Sequence, residues 1–583
     1  MRRLVGLGAV VLAAAGCGVG RLGSLQGTVP ETYRAHGGIP VEPTAPDLGQ
    51  QPPIAQDPAV PGQRIPLSLL YTSDMHSRIE PFADNYYHKT YAGKGGLARV
   101  ASLVRQLRAQ QPNTALLDSG DYLVGTPYFN YFKGDVEMKA MNLIGFDAVT
   151  IGNHEFDKGV PELRRVLSGY QGRKLSSNVT FQPEMADRYA VFRAGNLRVG
   201  VFSLLTEVNG LITPPNFAGA RYHDPIATAR AAVARLEKEA DVIVCISHVG
   251  TVPPWSDEER DRPEAHEDDH EGALNVSDEK IAAAAPGIDV ILSGHTHLLI
   301  KNPKQITSGG KKTLIVSDGF GGGFLGKLDL VVQDGEVVSA SNNLMPVDRG
   351  ISPDPQVTAA VAPYKAQLDP VIKQIIGKAT GDFRRYSSKD VESSLNNLIA
   401  DATFAAARKA NPETDFALVS SGTPRNHILG GKVSVEGVFY ALPFDNRIQI
   451  VTVPGEVARE MLRIQRRAKE TKRHAVSNVT YTLVPAADGK HQIRDIKVGT
   501  AAFDPKREYR IAVTDYMADG GAGFAMLPGM PRQDIGVLQR DALLEHIRVA
   551  GQVTPQTGRI KIRGRADDVV GWLLDRLVAF SGV

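Results

Sequence analysis

Cysteine is nearly absent from this chain: Cys17 and Cys245 are the whole supply in 583 residues. No disulfide framework is therefore available to hold it together. An excess of one charge is missing as well, because 66 Lys and Arg face 64 Asp and Glu for a formal balance of +2. That balance gives no electrostatic basis for gripping a nucleic acid polymer, while small anions stay open as ligands. No internal repeat is visible. What is present is a hydrophobic content of 42%, that of a globular protein, in a chain longer than one core usually serves. Two principal domains with linkers are the expectation.

The first twenty residues set Arg2 and Arg3 before a short apolar run that ends in small residues and Cys17. This pattern predicts an export signal over 1–17, too short to span a bilayer permanently. Ala14, Ala15 and Gly16 before Cys17 resemble a bacterial lipobox, although Ala14 stands where Leu is usual. The resemblance implies a lipid on Cys17, a membrane partner and a place in the periplasm or cell envelope; a plain cleaved signal is the alternative. Residues 18–65 are rich in Pro, Gly and Gln without a sustained apolar period, as an extended tether would be.

Beyond the tether, short apolar runs near 66–71, 114–117, 199–204, 241–246 and 288–292 alternate with helical stretches near 97–110 and 226–239. This is the α/β pattern with strands covered on both faces. Cys245 falls inside one of these runs, where a core filler is favoured over a nucleophile. The polar segment 256–272 carries His266 and His270 without a fixed ligand spacing and reads as a surface insertion. A Pro-flanked helical connector is expected at 351–377, followed by a second mixed domain at 378–564. That domain should hold a helix near 390–409 and strands near 416–420, 448–453 and 509–514. The tail 565–583 has an amphipathic pattern without a basic rim, which favours packing on a domain over membrane contact.

Five motifs in the first half end apolar runs and carry metal-ligand side chains. They are TSDMH (Asp74, His76), SGDYL (Asp121), GNHEFD (Asn153, His154, Asp157), ISHVG (His248) and GHTH (His295, His297). Loops at the carboxyl ends of strands in an α/β sheet converge on one crevice. Oxygen and imidazole ligands suit two divalent ions sharing a carboxylate bridge, for which Asp121 is the candidate. Such a pair of ions would supply hydroxide at neutral pH and receive phosphate oxygens.

In this order the motifs resemble the calcineurin-like metallophosphoesterases, and the chain from about 67 to 561 resembles their 5′-nucleotidase branch. That branch includes UDP-sugar hydrolases and cyclic-nucleotide phosphodiesterases. The resemblance implies a four-layer αββα domain over 66–350 and a smaller mixed α/β nucleotide-specificity domain. It implies that Asp74, His76, Asp121 and His297 hold one ion and Asp121, Asn153, His248 and His295 the other, with Zn, Mn, Fe and Co all compatible. His154 and Asp157 match the family's catalytic pair, and Glu155 is expected to support their loop.

In the second half, ESSLNNLIADA, SSGTPRN, LPFDN and TDYMADGGAGF are similar to the family's C-terminal domain. The match implies that Phe444 and Tyr516 sandwich a base, that Arg425 and Arg408 meet phosphate or ribose oxygens, and that Asn446 lies at the base edge. For the two aromatic residues alone, core packing is the competing reading. Ala522 replaces the family's ribose-binding Asp, and Ser420 and GTPR depart from the NAGGIR-like segment. The implied activity is hydrolysis of nucleotide phosphoesters, with rotation of one domain against the other. A same-fold hydrolase of UDP-sugars, 2′,3′-cyclic nucleotides or a thiosulfohydrolase-type ester is the first alternative, and a non-catalytic surface lipoprotein the second.

Overall fold

A computed structural model describes residues 38–52, 54, 62–252, 276–385, 391–464, 474–485 and 491–563. The expected signal with Cys17, the insertion at 256–272 and the tail at 565–583 lie outside the described residues.

The first domain is built on two six-stranded sheets. One has Arg64–Thr72, Thr114–Asp118, Ala148–Thr150 and Arg173–Leu175 in parallel succession. The other centres on Val242–His248, flanked in parallel by Leu197–Leu205 and Val290–Ser293. Side chains alternate along each strand. Leu67, Leu69 and Tyr71 accordingly enter a core shared with Val199, Val201, Val244, Ile246 and Leu292 of the facing sheet. The opposite faces take helices. Leu70 joins a core with Leu97–Gln110, Asp135–Ile144 and Gly159–Ser168, while Phe202 and Cys245 join one with Pro225–Leu236. Because these strands are apolar on both sides, one face of each sheet packs on the other sheet and the opposite face on helices, which gives the four-layer αββα order. Cys245 is a fully buried core residue whose thiol is pushed up by that burial.

The connector is the helix Pro355–Ile372, started by Asp354, whose carboxylate accepts from the amides of Gln356 (3.0 Å) and Val357 (2.9 Å). Pro355 at the first helical position costs no hydrogen bond there. In the second domain a five-stranded sheet has the order Ala475–Ser477, Phe416–Val419, Glu508–Thr514, Arg447–Pro454, Arg532–Leu538. The helix Ser394–Ala410 covers one face. On the other lie Gly455–Arg463 and a four-stranded sheet.

The expected tether needs one correction. Val41–Glu42 forms a strand parallel to Ala220–His223, and Ile39 is buried in the first-domain core. Apolar Ile39 and a backbone able to pair with an open sheet edge outweigh the surrounding Pro and Gly, so residues 38–44 are part of the domain and do not stand off from it.

Candidate metal centre

Each of the five motifs follows the carboxyl end of a first-domain strand or closes it. Asp74 stands two residues after Arg64–Thr72, Asp121 and Asn153 three residues after their strands, His248 ends Val242–His248, and His295 follows Val290–Ser293 by two. Parallel strands in register bring these ends to one rim. The chain turns there so abruptly that five candidate ligands take left-handed backbone: Asp74 (φ 50°), His76 (46°), Asp121 (55°), His295 (69°) and His297 (55°). Such a conformation costs an L-residue roughly 1 kcal/mol or more, least for Asp, Asn and His. Strain of this kind gathers at functional sites and is held by the surrounding fold.

Two clusters of ligand atoms result. One is Asp74, His76 and His297, the other Asp74, Asp121 and His248, the atoms of each within 4.8 Å of one another. His76 Nδ1 lies 3.0 Å from the Val124 carbonyl and His248 Nδ1 2.7 Å from that of Ser119. Carbonyls only accept, so both rings carry hydrogen on Nδ1 and, when neutral, turn a lone pair on Nε2 toward the centre. There His76 Nε2 meets His297 Nε2 at 3.0 Å, and His297 Nε2 is 3.5 Å from Asp74 Oδ1. His248 Nε2 is 3.1 Å from Asp121 Oδ2 and 3.2 Å from Asn153 Oδ1. The His295 ring lies 5.2 Å from that of His248, and its backbone N–H donates to Asp74.

Asp121 Oδ2 is fully buried and faces the His248 Nε2 at 3.1 Å. Buried carboxylates and imidazoles that face one another at 3.0 to 3.5 Å are the donor set a cation would join, so the residues fit a divalent pair. Burial and the neighbouring His297 hold His76 well below its usual value, leaving it neutral as a ligand must be. Burial opposes charge on His248, yet Asp121 and Asp74 raise it to about 10. A cation taking its place would release that proton.

His154 donates its backbone N–H to Asp121 Oδ1 at 2.9 Å and sets Nδ1 3.1 Å from Asp157 Oδ2. Burial works against its charge, but Asp157 and Asp121 raise it above the ordinary imidazole value. Glu155 accepts from the amides of Asp121 (2.9 Å), Leu123 (3.0 Å) and Gly152 (2.7 Å). It thereby staples two ligand loops together. Burial and the nearby Asp121 push it up to about 8.

A cavity of about 750 Å³ opens from this centre toward the second domain, and His154, Arg425, Phe444, Asn446, Tyr516 and Ala522 line it. Phe444 stacks on His154 with ring centroids 5.5 Å apart at 22°, and the Arg425 guanidinium lies 5.1 Å from the Phe444 centroid. The Tyr516 hydroxyl crosses to the first domain and donates to the Gly210 carbonyl at 2.6 Å.

Arg408 is not brought to the cavity. It sits in the last turn of Ser394–Ala410 and donates to the Thr414 carbonyl at 3.4 Å. It also stands 5.9 Å from the Phe404 ring of its own helix, and these local contacts take the place of the expected substrate contact.

Sequence reasoning also passed over Asp445. Within LPFDN it accepts from Lys158 (2.6 Å), Lys133 (3.1 Å) and Asn130 (3.0 Å) of the first domain and from Arg540 (2.6 Å) of its own. Its place between Phe444 and Asn446 was the only available signal.

The family model for calcineurin-like phosphoesterases matches residues 67–299, and that for the 5′-nucleotidase C-terminal domain matches 375–529. The chain is 25% identical over 543 residues to snake venom 5′-nucleotidase of Naja atra, covering 84% of this chain and 97% of that protein. It is 24% identical over 549 residues to the trifunctional nucleotide phosphoesterase protein YfkN of Bacillus subtilis. That match takes in 85% of this chain but spans only 35% of YfkN. Among solved structures, the 5′-nucleotidase precursor of Thermus thermophilus is similar with a TM-score of 0.71 and 26% identity, over 85% of this chain and 99% of that one.

Proposed function

Because the chain belongs to the family that joins a calcineurin-like phosphoesterase domain to a 5′-nucleotidase C-terminal domain, we propose that it cleaves nucleoside 5′-monophosphates to nucleoside and phosphate. It is a metal-dependent phosphoester hydrolase; the nucleotide substrate and the residue roles below are our reading. The observation that carries this reading is a single cavity lined by Asn153, His154 and His295 of the candidate centre and by Phe444, Asn446 and Tyr516 of the second domain.

Asp74, His76, Asp121, Asn153, His248, His295 and His297 would hold the two ions. The ions, when bound, supply an activated water and withdraw charge from the phosphoryl oxygens. Asp157 fixes the tautomer of His154 by accepting a hydrogen bond from its Nδ1–H, so that Nε2 serves the leaving oxygen or the charge growing on phosphorus. Arg425 offers a permanent positive charge to the same oxygens. Phe444 and Tyr516 supply flat faces for a base. Residues 66–350 thus handle phosphate and residues 378–564 the nucleoside.

Ala522 favours a second reading. It lines the cavity where the family carries a ribose-binding carboxylate, which leaves UDP-sugars and cyclic nucleotides as rival substrates. As to location, Cys17 is our proposed lipid attachment point in the cell envelope. Among the described residues no helix is long and apolar enough to cross a membrane.

The test is product formation from adenosine 5′-monophosphate, UDP-glucose and 2′,3′-cyclic AMP, resolved by chromatography as adenosine with phosphate, UMP with glucose 1-phosphate, and adenosine monophosphate respectively, each with Mn, Zn and Co. We expect the monophosphate to be preferred, with turnover lost on chelation and in Asp121→Ala. Preference for either rival would replace the proposed substrate, and turnover indifferent to chelators would remove the metal chemistry.

A further inference from the structure

The segment 206–213 forms one wall of the cavity, and Thr206, Glu207, Asn209, Gly210 and Ile212 all face it. It leaves the strand Leu197–Leu205 and ends at the short helix Pro214–Phe217, so little regular structure of its own fixes it. Two contacts reach the chemistry from this stretch and from the helix that follows it. Gly210 accepts the Tyr516 hydroxyl, and Asn216 donates to the backbone carbonyl of Asp157 at 3.1 Å.

What anchors the middle of the wall lies about 170 residues earlier in the chain. The Ile39 amide donates to Asn209 Oδ1 at 2.8 Å, and Asn209 Nδ2 donates to the Ile39 carbonyl at 3.0 Å. One side-chain amide thus completes both backbone hydrogen bonds of one strap residue, as a neighbouring strand would. Gly38 packs so closely that a Cβ there would stand 3.1 Å from Asn209 Oδ1. Ile39 is buried in the same apolar cluster as Val208 and Ile212 on either side of Asn209. The strap is itself fixed further along, where Val41–Glu42 pairs with Ala220–His223 and Glu42 accepts from the Asp224 amide at 2.8 Å.

We propose that Asn209 is a positioning residue: clamped to the N-terminal strap 38–44, it holds the wall 206–213 where Tyr516 and the nucleoside end of the substrate meet it. The inference rests on the nucleotide reading above for its kinetic consequence, but the clamp itself is independent of it. The strap precedes the phosphoesterase match that begins at residue 67, so this chain adds a support from outside its catalytic core. A small ester held only at the metal centre has little use for the wall, whereas a nucleotide does.

The test uses the full chain with Asn209→Ala, Asn209→Asp, Ile39→Ser and deletion of 38–44. Steady-state kinetics are read on adenosine 5′-monophosphate and on p-nitrophenyl phosphate, and amide hydrogen exchange is read over 206–213. Asn209→Ala is expected to raise KM for the nucleotide about tenfold, to lose at least five times more kcat/KM on the nucleotide than on p-nitrophenyl phosphate, and to speed exchange in the wall at least tenfold. Asn209→Asp, which keeps the acceptor but repels the Ile39 carbonyl, should fall between. The strap variants should reproduce the pattern with Asn209 intact, and Ile39→Ser serves if the deletion does not fold. A raised KM in Asn209→Ala alone, with normal kinetics in the strap variants, would assign Asn209 a direct substrate contact and overturn positioning. Unchanged exchange over 206–213 would overturn it whatever the substrate, while a wild type inactive on the nucleotide but with exchange responding as stated would sink only the nucleotide reading.

Discussion

The chemistry of single side chains here is set by who shares their burial. His154 is raised above the ordinary imidazole value because two carboxylates, Asp157 and Asp121, outweigh the desolvation that opposes its charge. An imidazole so held can give or share a proton at neutral pH without itself being an expected ligand. His154→Ala should lower kcat by roughly 10²- to 10⁴-fold, with bound metal per chain unchanged by elemental analysis. Loss of the metal along with activity would instead make His154 a ligand. Phe444 stacks on His154 as well as lining the cavity, so truncating it would remove both the face proposed for the base and the support of the imidazole.

At the scale of elements, the site depends on loops that approach too closely for a side chain between them. Gly152, in the GNHEFD motif, is the clearest case: a Cβ there would stand 2.2 Å from Asp121 Oδ1 and 2.6 Å from its backbone nitrogen. Neither atom can withdraw, because Glu155 ties both loops together. Gly152→Ala should cost about 1–3 kcal/mol of stability and displace the carboxylate expected to join the two ions. Thermal unfolding together with metal titration will show this. A variant that is destabilised yet binds metal as the wild type does would mean that the loops yield without moving Asp121. The helix Ser394–Ala410 offers the opposite lesson, since its local rules are satisfied at its own end and Arg408 stays there.

For the whole molecule, the decisive contact is the seam where the two domains meet beside His154 and Asp157, the proposed catalytic pair. Asp445 joins Lys133 and Lys158 of one domain to Arg540 of the other. Burial opposes its charge, but Arg540 and Lys158 hold its carboxyl well below the usual range. The folded protein therefore keeps this carboxylate ionised more readily than the unfolded chain. Its contribution is fully present above the ordinary carboxylate value near 4 and is lost as pH falls below that value toward the depressed one. Asp445→Asn should cost roughly 3 kcal/mol near neutrality and progressively less in acid unfolding series taken down to about pH 3. A penalty that does not shrink with acid would assign the loss to packing and not to charge. In the chain alone, apolar runs alternating with helical stretches carry the α/β class, the resemblance of the motifs to a known family carries the four-layer order, and the residue types in five motifs carry the chemistry of the centre, because all three depend on local pattern and side-chain identity. The chain could not say that Asp74 belongs to both ligand clusters, that residues 38–44 fold onto the catalytic domain, or that Asp445 fastens the seam. Those facts rest on distances between segments tens to hundreds of residues apart, which only the packing of sheets and domains determines.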